Sequence, residues 1–114
     1  MFFVRRRWAV RVITETGLPI KSAIATLLID LIIWAAKQNE ASARSVGQRL
    51  PKAESILLAA VGLHRNPTIA RRLQRDIDLT DKEAHQALDA TRTGARIVAR
   101  AYGFDRLVAL DDAR

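Results

Sequence analysis

Apolar residues recur along most of the chain at spacings of three and four, the period of a helix that buries one face. The longest such run covers residues 19–37, and Pro19 suits the first position of a helix. Only a narrow stripe of this segment stays polar: Ser22, Thr26, Asp30 and Lys37. Because a helix this apolar needs other helices around it, we predict that it lies at the centre of the fold.

Later segments carry clear signals for helix ends. Asn66 is a preferred N-cap and Pro67 a preferred first residue, which predicts a helix over residues 66–77. The sequence TDKE at residues 80–83 matches a capping box, and apolar residues follow it at spacings of four and three as far as Tyr102. Gly103 should close this helix. Another helix is predicted over residues 51–62, with Gly62 as its C-cap.

Two segments are harder to interpret. In residues 1–15 the apolar positions alternate as in a strand, while Val4, Trp8 and Val12 recur every four residues as in a helix. The helical pattern of the rest of the chain favours a helix in residues 1–15. Residues 38–50 are polar and predict a loop with a short helix over residues 41–50. We therefore expect an all-α protein: a single compact domain, residues 1–114, of four to five helices around the apolar central helix.

Composition supports this fold class and adds a strong positive charge. The 114 residues suffice for one domain with a real core, and aromatic residues, which favour strands, make up only 5 %. The net charge is +7, and only four of the nineteen basic residues are lysine. An isoelectric point near 11 is typical of nucleic-acid-binding proteins. A genome rich in G and C would also enrich arginine, so the placement of the charges has to decide.

The absence of cysteine excludes disulfides, and it fits a reducing cytoplasm, which is where we expect the protein. The apolar residues 22–36 follow a basic run and could instead touch a membrane. However, about 20 apolar residues are needed to span a bilayer, and Asp30 would lie in the middle of this shorter segment. We predict a buried helix and no membrane contact.

Positive charge is concentrated in three arginine clusters, which we take as candidate contacts to nucleic-acid phosphates: Arg5, Arg6 and Arg7; Arg71, Arg72 and Arg75; Arg92, Arg96 and Arg100. The third cluster is spaced by four residues and therefore lines one side of a helix, with no acidic residue four positions away. The alternative is a solvated face, or pairing with acids from another helix such as Asp76 or Asp78.

No pattern indicates catalysis, a metal ion or a cofactor. The acidic residues 76–83 do not match the spacing of a calcium loop and are explained by the start of a helix. His64 and His85 lie at no catalytic or metal-binding spacing. We therefore predict no enzyme activity, no metal site and no cofactor. Gly94 lies inside the last long helix and could allow close approach by another helix or by a backbone, which the sequence leaves open.

The stretch GLHRNPTIARRL, residues 62–73, resembles the turn and second helix of helix-turn-helix proteins. It departs from that pattern because Pro67 and Ile69 shift the apolar anchor by about one residue. The stretch ETGLPIKSAIATLL resembles the second helix of ribbon-helix-helix proteins, with an extra residue and no clear strand before it. These resemblances imply DNA binding in general, and no base-reading residue is assigned from them.

Two functions fit these observations. The first is non-catalytic binding of DNA or RNA, largely independent of sequence, through arginine contacts to the phosphate backbone. Such a protein would act with other subunits or self-associate, in outline similar to the small subunits of CRISPR effector complexes. The second is a protein-interaction subunit or inhibitor whose basic faces bind an acidic partner protein. Its candidate contact anchors are aromatic and apolar residues near the chain ends: Phe2, Phe3, Trp8, Phe104 and Leu107.

Overall fold

The computed structural model describes residues 4–17 and 19–113. These residues form one compact helical globule, and within the described ranges there is no strand, so the all-α class is confirmed. The number of helices is six rather than four to five. They are α1 (Val4–Thr14), α2 (Ser22–Ser45), α3 (Lys52–Gly62), α4 (Pro67–Ile77), α5 (Asp81–Ala101) and α6 (Asp105–Asp112). A single 3-10 turn, Leu63–Arg65, joins α3 to α4.

The first segment is a helix and part of the core. Ala9, Val12 and Ile13 of α1 are buried, and α1 packs against α2, α3 and α5. The strand-like alternation has no structural counterpart, since Val10 is 37 % exposed while Val12 is fully buried. Val10 and Val12, which would share a face in a strand, therefore point in different directions, as helical geometry requires.

The second helix is longer than the sequence pattern indicates. It continues to Ser45, so the separate short helix predicted over residues 41–50 does not form. The helix formers Glu40, Ala41 and Ala43 follow Lys37, and the helix ends just before Gly47, whose φ of 73° is a left-handed conformation that suits glycine. There the amide of Gln48 donates to the carbonyl of Ala43 at 2.9 Å, the hydrogen bond of a Schellman end.

The central position is occupied by α3. Six of its eleven residues are buried, and it packs against α1, α2, α5 and α6. In contrast, α2 packs against α1, α3 and α4 and carries Trp34 with 51 % of its surface exposed. The prediction that the long apolar helix is the central one is therefore not confirmed. The shorter α3 is enclosed because its small residues, such as Ala59 and Ala60, allow neighbouring helices to approach closely.

Packing within protein accounts for the apolar content of α2. Leu28 and Leu31 are buried, as predicted, while Leu27 is only partly buried. Among the helices in the described ranges, none combines the length and the apolar content needed to cross a lipid bilayer.

Shortening Leu28 should destabilise the fold strongly. The side chain is fully buried in the core, so Leu28→Ala should lower the free energy of unfolding by about 2–5 kcal/mol. Urea denaturation measures this loss. Leu110 on α6 is 49 % exposed, so Leu110→Ala is the matched control and should cost clearly less. Equal losses for the two variants would contradict the buried position of Leu28.

The α4–α5 hairpin begins and ends as its sequence indicates. The amide of Thr68 donates to the Asn66 side chain at 3.0 Å, which confirms the N-cap of α4. The capping box of α5 is also confirmed, because Thr80 and Glu83 exchange side-chain-to-amide hydrogen bonds of 3.1 Å. By contrast, Gly62 is not a left-handed C-cap: its φ is −93°, and the chain continues directly into the 3-10 turn.

Gly94 is the point at which α5 approaches the backbone of α1. A Cβ atom at this position would lie 2.0 Å from the carbonyl oxygen of Val12, far inside van der Waals contact. The sequence left open whether Gly94 allows the approach of another helix or of a backbone. The structure shows that it is the backbone of another helix, α1. Apolar residues along α5 line the inner side of this interface and are buried: Ala84, Leu88, Ala95 and Val98.

The chain reverses after α5 and places α6 against the bundle. Gly103 has a φ of 81°, and the amide of Phe104 donates to the carbonyl of Ala99 at 2.7 Å, which closes α5 with a Schellman motif. The helix that follows packs on α5 and α3 and buries Val108 and Asp111. The apolar tail seen in the sequence thus forms an additional helix.

Candidate nucleic-acid interface

The first arginine cluster separates into three different environments. Arg5 forms a bidentate pair with Glu40 of α2, with distances of 2.9 and 2.7 Å from its nitrogens to the two carboxylate oxygens. Arg6 lies 3.8 Å from Asp30 in an exposed ion pair. Arg7 is exposed and has no ion pair with any residue that the structure describes. The sequence RRR is therefore not one continuous contact surface.

Arg5 supports the fold rather than an external contact. Glu40 is buried, and it also accepts a hydrogen bond of 2.8 Å from the hydroxyl of Ser55 in α3. The hydrogen bond from Arg5 is the main cause that holds the pKa of Glu40 below its ordinary value, against the opposing effect of burial. This interaction joins α1, α2 and α3, so the guanidinium group of Arg5 is engaged within the fold and is not free to contact a phosphate.

The third cluster is also largely occupied, by carboxylates from α6. The Asp111 carboxylate accepts hydrogen bonds from three arginines: Arg65 at 2.9 Å, Arg92 at 2.7 Å and Arg96 at 2.7 Å. Arg96 forms a further ion pair of 2.7 Å with Asp112. Pairing with acids from another helix was the alternative interpretation of this cluster. This alternative is correct for Arg92 and Arg96, but their partners are Asp111 and Asp112 rather than Asp76 or Asp78.

Asp111 remains ionised although its side chain has no exposed surface. Burial opposes its ionisation, but the hydrogen bonds from Arg92 and Arg96 outweigh this and hold its pKa below the ordinary value. We call Asp111 with Arg65, Arg92 and Arg96 the Asp111 cluster. It fixes α6 to α5 and to the 3-10 turn. Arg100 is exposed and forms no ion pair within the described part of the chain, so it alone of the third group remains open.

The second cluster stays on the surface, as predicted. Arg71, Arg72 and Arg75 of α4 are all exposed, while Ile69 and Leu73 are buried on the opposite side of the helix. We call these three arginines the α4 face. It is brought together by helical geometry alone, since residues three and four apart lie on the same side.

Among the residues that the structure describes, one carboxylate pairs with the α4 face. Asp76 lies 3.3 Å from Arg72 and 3.1 Å from Arg75, and the hydrogen bond from Arg75 is the main cause of its lowered pKa. Arg71 has no ion pair among residues 4–17 and 19–113. Because Arg72 and Arg75 share one exposed carboxylate and Arg71 has none, the α4 face keeps a net positive charge.

A further basic surface was missed by the sequence reasoning. A groove of about 640 Å³ lies between the first turns of α1, the end of α2 and the start of α3. Its lining includes Arg44, Arg49 and Lys52, which are exposed and form no ion pair with described residues. We call this the α1–α3 groove. The sequence does contain an indication of this surface, because Arg44, Arg49 and Lys52 flank Gly47. The prediction of a separate helix over residues 41–50 does not bring these three cations together.

Several candidate anchors for a protein partner contact one another inside the chain. The ring of Trp8 meets those of Tyr102 and Phe104 edge-on, with centroids 5.1 and 6.4 Å apart. Arg11 adds a hydrogen bond to the Tyr102 hydroxyl and lies over both the Trp8 and the Tyr102 ring. Leu107 is partly buried against the core. Phe2 and Phe3 lie outside the described residues.

In the described part of the chain, no three His, Asp or Glu side chains are grouped so that they could hold a metal ion. The resemblance to helix-turn-helix proteins does not extend to the packing, because α4 packs on α5 and α2 rather than forming a two-helix unit with α3.

Comparison with protein-family models, with curated proteins and with solved structures finds no match to this chain.

Proposed function

We propose that this protein binds nucleic acid without catalysis, through contacts of the α4 face to the phosphate backbone. The observation that carries this proposal is the excess of positive charge on α4, where three arginines are exposed and, among the described residues, one carboxylate, Asp76, pairs with two of them. An exposed array of guanidinium groups is suited to phosphate oxygens because each group offers a planar fork of donors.

The exposed ion pairs with Asp76 do not oppose such binding. Exposed pairs contribute little to stability and are weakened by salt, so a phosphate can replace the carboxylate as the partner of Arg72 or Arg75. The net charge of +7 adds a long-range attraction that speeds the encounter with a polyanion.

The proposed surface is smaller than the nine arginines suggested by the sequence. Arg5, Arg92 and Arg96 are engaged with Glu40, Asp111 and Asp112, and losing them would damage the fold first. The exposed Arg6, Arg7 and Arg100 remain available as peripheral contacts. Since phosphate contacts carry no sequence information, we expect similar affinity for different sequences of the same nucleic acid.

Removing the α4 face should weaken binding and reduce its dependence on salt. The triple variant Arg71→Ala, Arg72→Ala, Arg75→Ala removes up to three phosphate contacts, and each contact contributes about 0.9 to the slope of log affinity against log salt on duplex DNA. Fluorescence anisotropy with labelled random duplex DNA and RNA over a salt series measures both quantities. Lysine at the same three positions should restore part of the affinity, because charge is kept while the fork geometry is lost.

A matched control separates this face from general electrostatics. Lys21, Lys37 and Lys82 are exposed on other parts of the surface, so their triple alanine variant removes the same charge elsewhere. It should retain most of the affinity and the salt slope. If the two triple variants lose affinity equally, or if the arginine variant binds as the wild type does, the α4 face is not the binding surface.

A protein-interaction role is the second candidate, and Trp34 favours it. This side chain is half exposed on α2, and tryptophan is among the residues that most often dominate protein interfaces. In this reading an acidic partner protein contacts α2 and the basic surface around it. Trp34→Ala would then abolish capture of such a partner, whereas under the leading proposal it leaves nucleic-acid affinity unchanged.

A further inference from the structure

The α1–α3 groove combines an apolar wall with a cationic rim. Val4, Trp8, Leu50 and Pro51 contribute apolar surface, while Arg44, Arg49 and Lys52 contribute the charge. Its volume of about 640 Å³ lies within the range of about 300–1,000 Å³ that is usual for small-molecule sites. Such sites are mostly apolar with a few polar groups that orient the ligand, and this groove has that division.

The acidic residue in the lining does not cancel the positive charge. Glu40 is held by both nitrogens of Arg5 and by the Ser55 hydroxyl, so its oxygens are occupied at the back of the groove. Arg44, Arg49 and Lys52 therefore face the groove without a carboxylate bonded to them in the described part of the chain. Three unpaired cations around one concavity repel one another, and a ligand with several negative charges relieves this.

We propose that the α1–α3 groove binds a nucleoside phosphate. Its phosphates contact Arg44, Arg49 and Lys52, and its base lies on the apolar wall formed by Val4, Trp8 and Leu50. Arginine and lysine are complementary in this role, because arginine engages two phosphate oxygens at once and lysine acts as a compact charge. The nucleoside phosphate is either a free nucleotide or the phosphorylated end of a strand.

This site is separate from the α4 face. Lys52 begins α3, whereas α4 starts after the opposite end of α3 and the 3-10 turn. The groove can therefore be altered without touching Arg71, Arg72 or Arg75. Failure of one proposal leaves the other standing, because each is tested with variants on different helices.

Nuclear magnetic resonance of the Trp8 indole tests the proposal directly. The chain has two tryptophans, and Trp34→Phe on the exposed side of α2 leaves Trp8 as the only indole N–H signal. Titration with ATP should shift this signal in a saturable way at concentrations up to a few millimolar. Adenosine and pyrophosphate, which each supply one half of the ligand, should bind at least about tenfold more weakly than ATP.

Variants at the rim identify the phosphate contacts. Arg49→Ala and the pair Arg44→Ala, Lys52→Ala should weaken ATP binding by about tenfold or more, since all three side chains are exposed and their loss spares the core. Lys37→Ala, an exposed cation on the same helix as Arg44, is the control and should bind ATP as the parent does. The triple alanine variant of the α4 face should also bind ATP normally.

The source of the nucleoside phosphate is resolved with two oligonucleotides of one sequence, with and without a 5′ phosphate. Stronger displacement of ATP by the phosphorylated form assigns the groove to strand ends. Equal and weak displacement by both assigns it to free nucleotides. The proposal is overturned if no probe gives a saturable shift of Trp8, if pyrophosphate binds as tightly as ATP, or if Arg49→Ala and Lys37→Ala behave alike.

Discussion

Gly94→Ala should destabilise the protein, although alanine is ordinarily the better helix residue by about 1 kcal/mol. The added Cβ would lie 2.0 Å from the carbonyl oxygen of Val12. The position of the Cβ is fixed by the backbone of α5 and the oxygen is part of the backbone of α1, so neither atom can turn away as the end of a side chain could. Accommodating it requires α1 to move away from α5, which loosens the packing of Ala9, Val12 and Ile13. We expect a net loss of about 1–3 kcal/mol or more, measured by thermal and urea unfolding.

Gly62 gives the matched control. It ends α3 with a φ of −93°, and nothing lies within 4 Å of the position where its Cβ would be. Gly62→Ala should therefore raise stability by a few tenths of a kcal/mol up to about 1 kcal/mol. The two glycine-to-alanine changes are expected to have opposite signs. If Gly94→Ala stabilises the protein as Gly62→Ala does, the contact between α1 and α5 is wrong.

Asp111→Asn should be the most damaging change of a single charge. It removes the anion that three arginines share while keeping the size of the side chain. Breaking a buried ion pair costs about 3–5 kcal/mol. We expect a loss of about 3 kcal/mol, the lower end, because Arg96 is 18 % exposed and Arg65 and Arg92 are more exposed, so all three partly recover hydration. Urea unfolding and amide exchange in α6 measure this.

The neighbouring acid provides the comparison. Asp112 is 58 % exposed, and Arg96 is its one ion-pair partner within residues 4–17 and 19–113, so Asp112→Asn should cost less than about 1 kcal/mol. Similar losses for Asp111→Asn and Asp112→Asn would mean that α6 is not held by the Asp111 cluster.

The Asp111 cluster also predicts how stability depends on pH. The pKa of Asp111 is lower in the folded protein than the value near 3.9 of an unfolded chain. The unfolded state therefore binds its proton first, and the stabilisation is complete above about pH 4–5 and is lost as the pH falls through the folded pKa. The same sign holds for Glu40, whose pKa is also lowered. In Asp111→Asn the decline of stability below about pH 4 should be shallower than in the wild type.

Those parts of the fold that depend on residues close to one another in the sequence were predictable from it. The caps at Asn66 and Thr80 and the buried side of α5 follow from local hydrogen bonding and from helical period, and the structure confirms them. The centre of the bundle was not predictable in this way. Apolar content pointed to α2, but enclosure depends on how closely neighbouring helices approach, which the small residues Ala59 and Ala60 permit in α3.

The candidate site shows the same limit. Arg71, Arg72 and Arg75 are exposed, as the helical spacing of the buried Ile69 and Leu73 on the same helix requires. Occupation of Arg92 and Arg96 did not follow, because their partners lie fifteen or more residues away on α6 and reach them only when that helix docks. Spacing rules within one helix detect partners at three and four positions and no further.

The contact between Gly94 and Val12 also sets the order in which this chain can fold during synthesis. The two residues are about eighty positions apart, and at roughly 5–20 residues per second the ribosome needs about 4–16 s to reach the second after the first. Throughout that interval, Ala9, Val12 and Ile13 lack α5, which is one of the three helices against which α1 packs. Most helical bundles form from contacts between sequence neighbours and fold in microseconds to milliseconds. Here α1 can pack on α2 and α3 early, but its contacts with α5 are completed only after residue 94 has been synthesised.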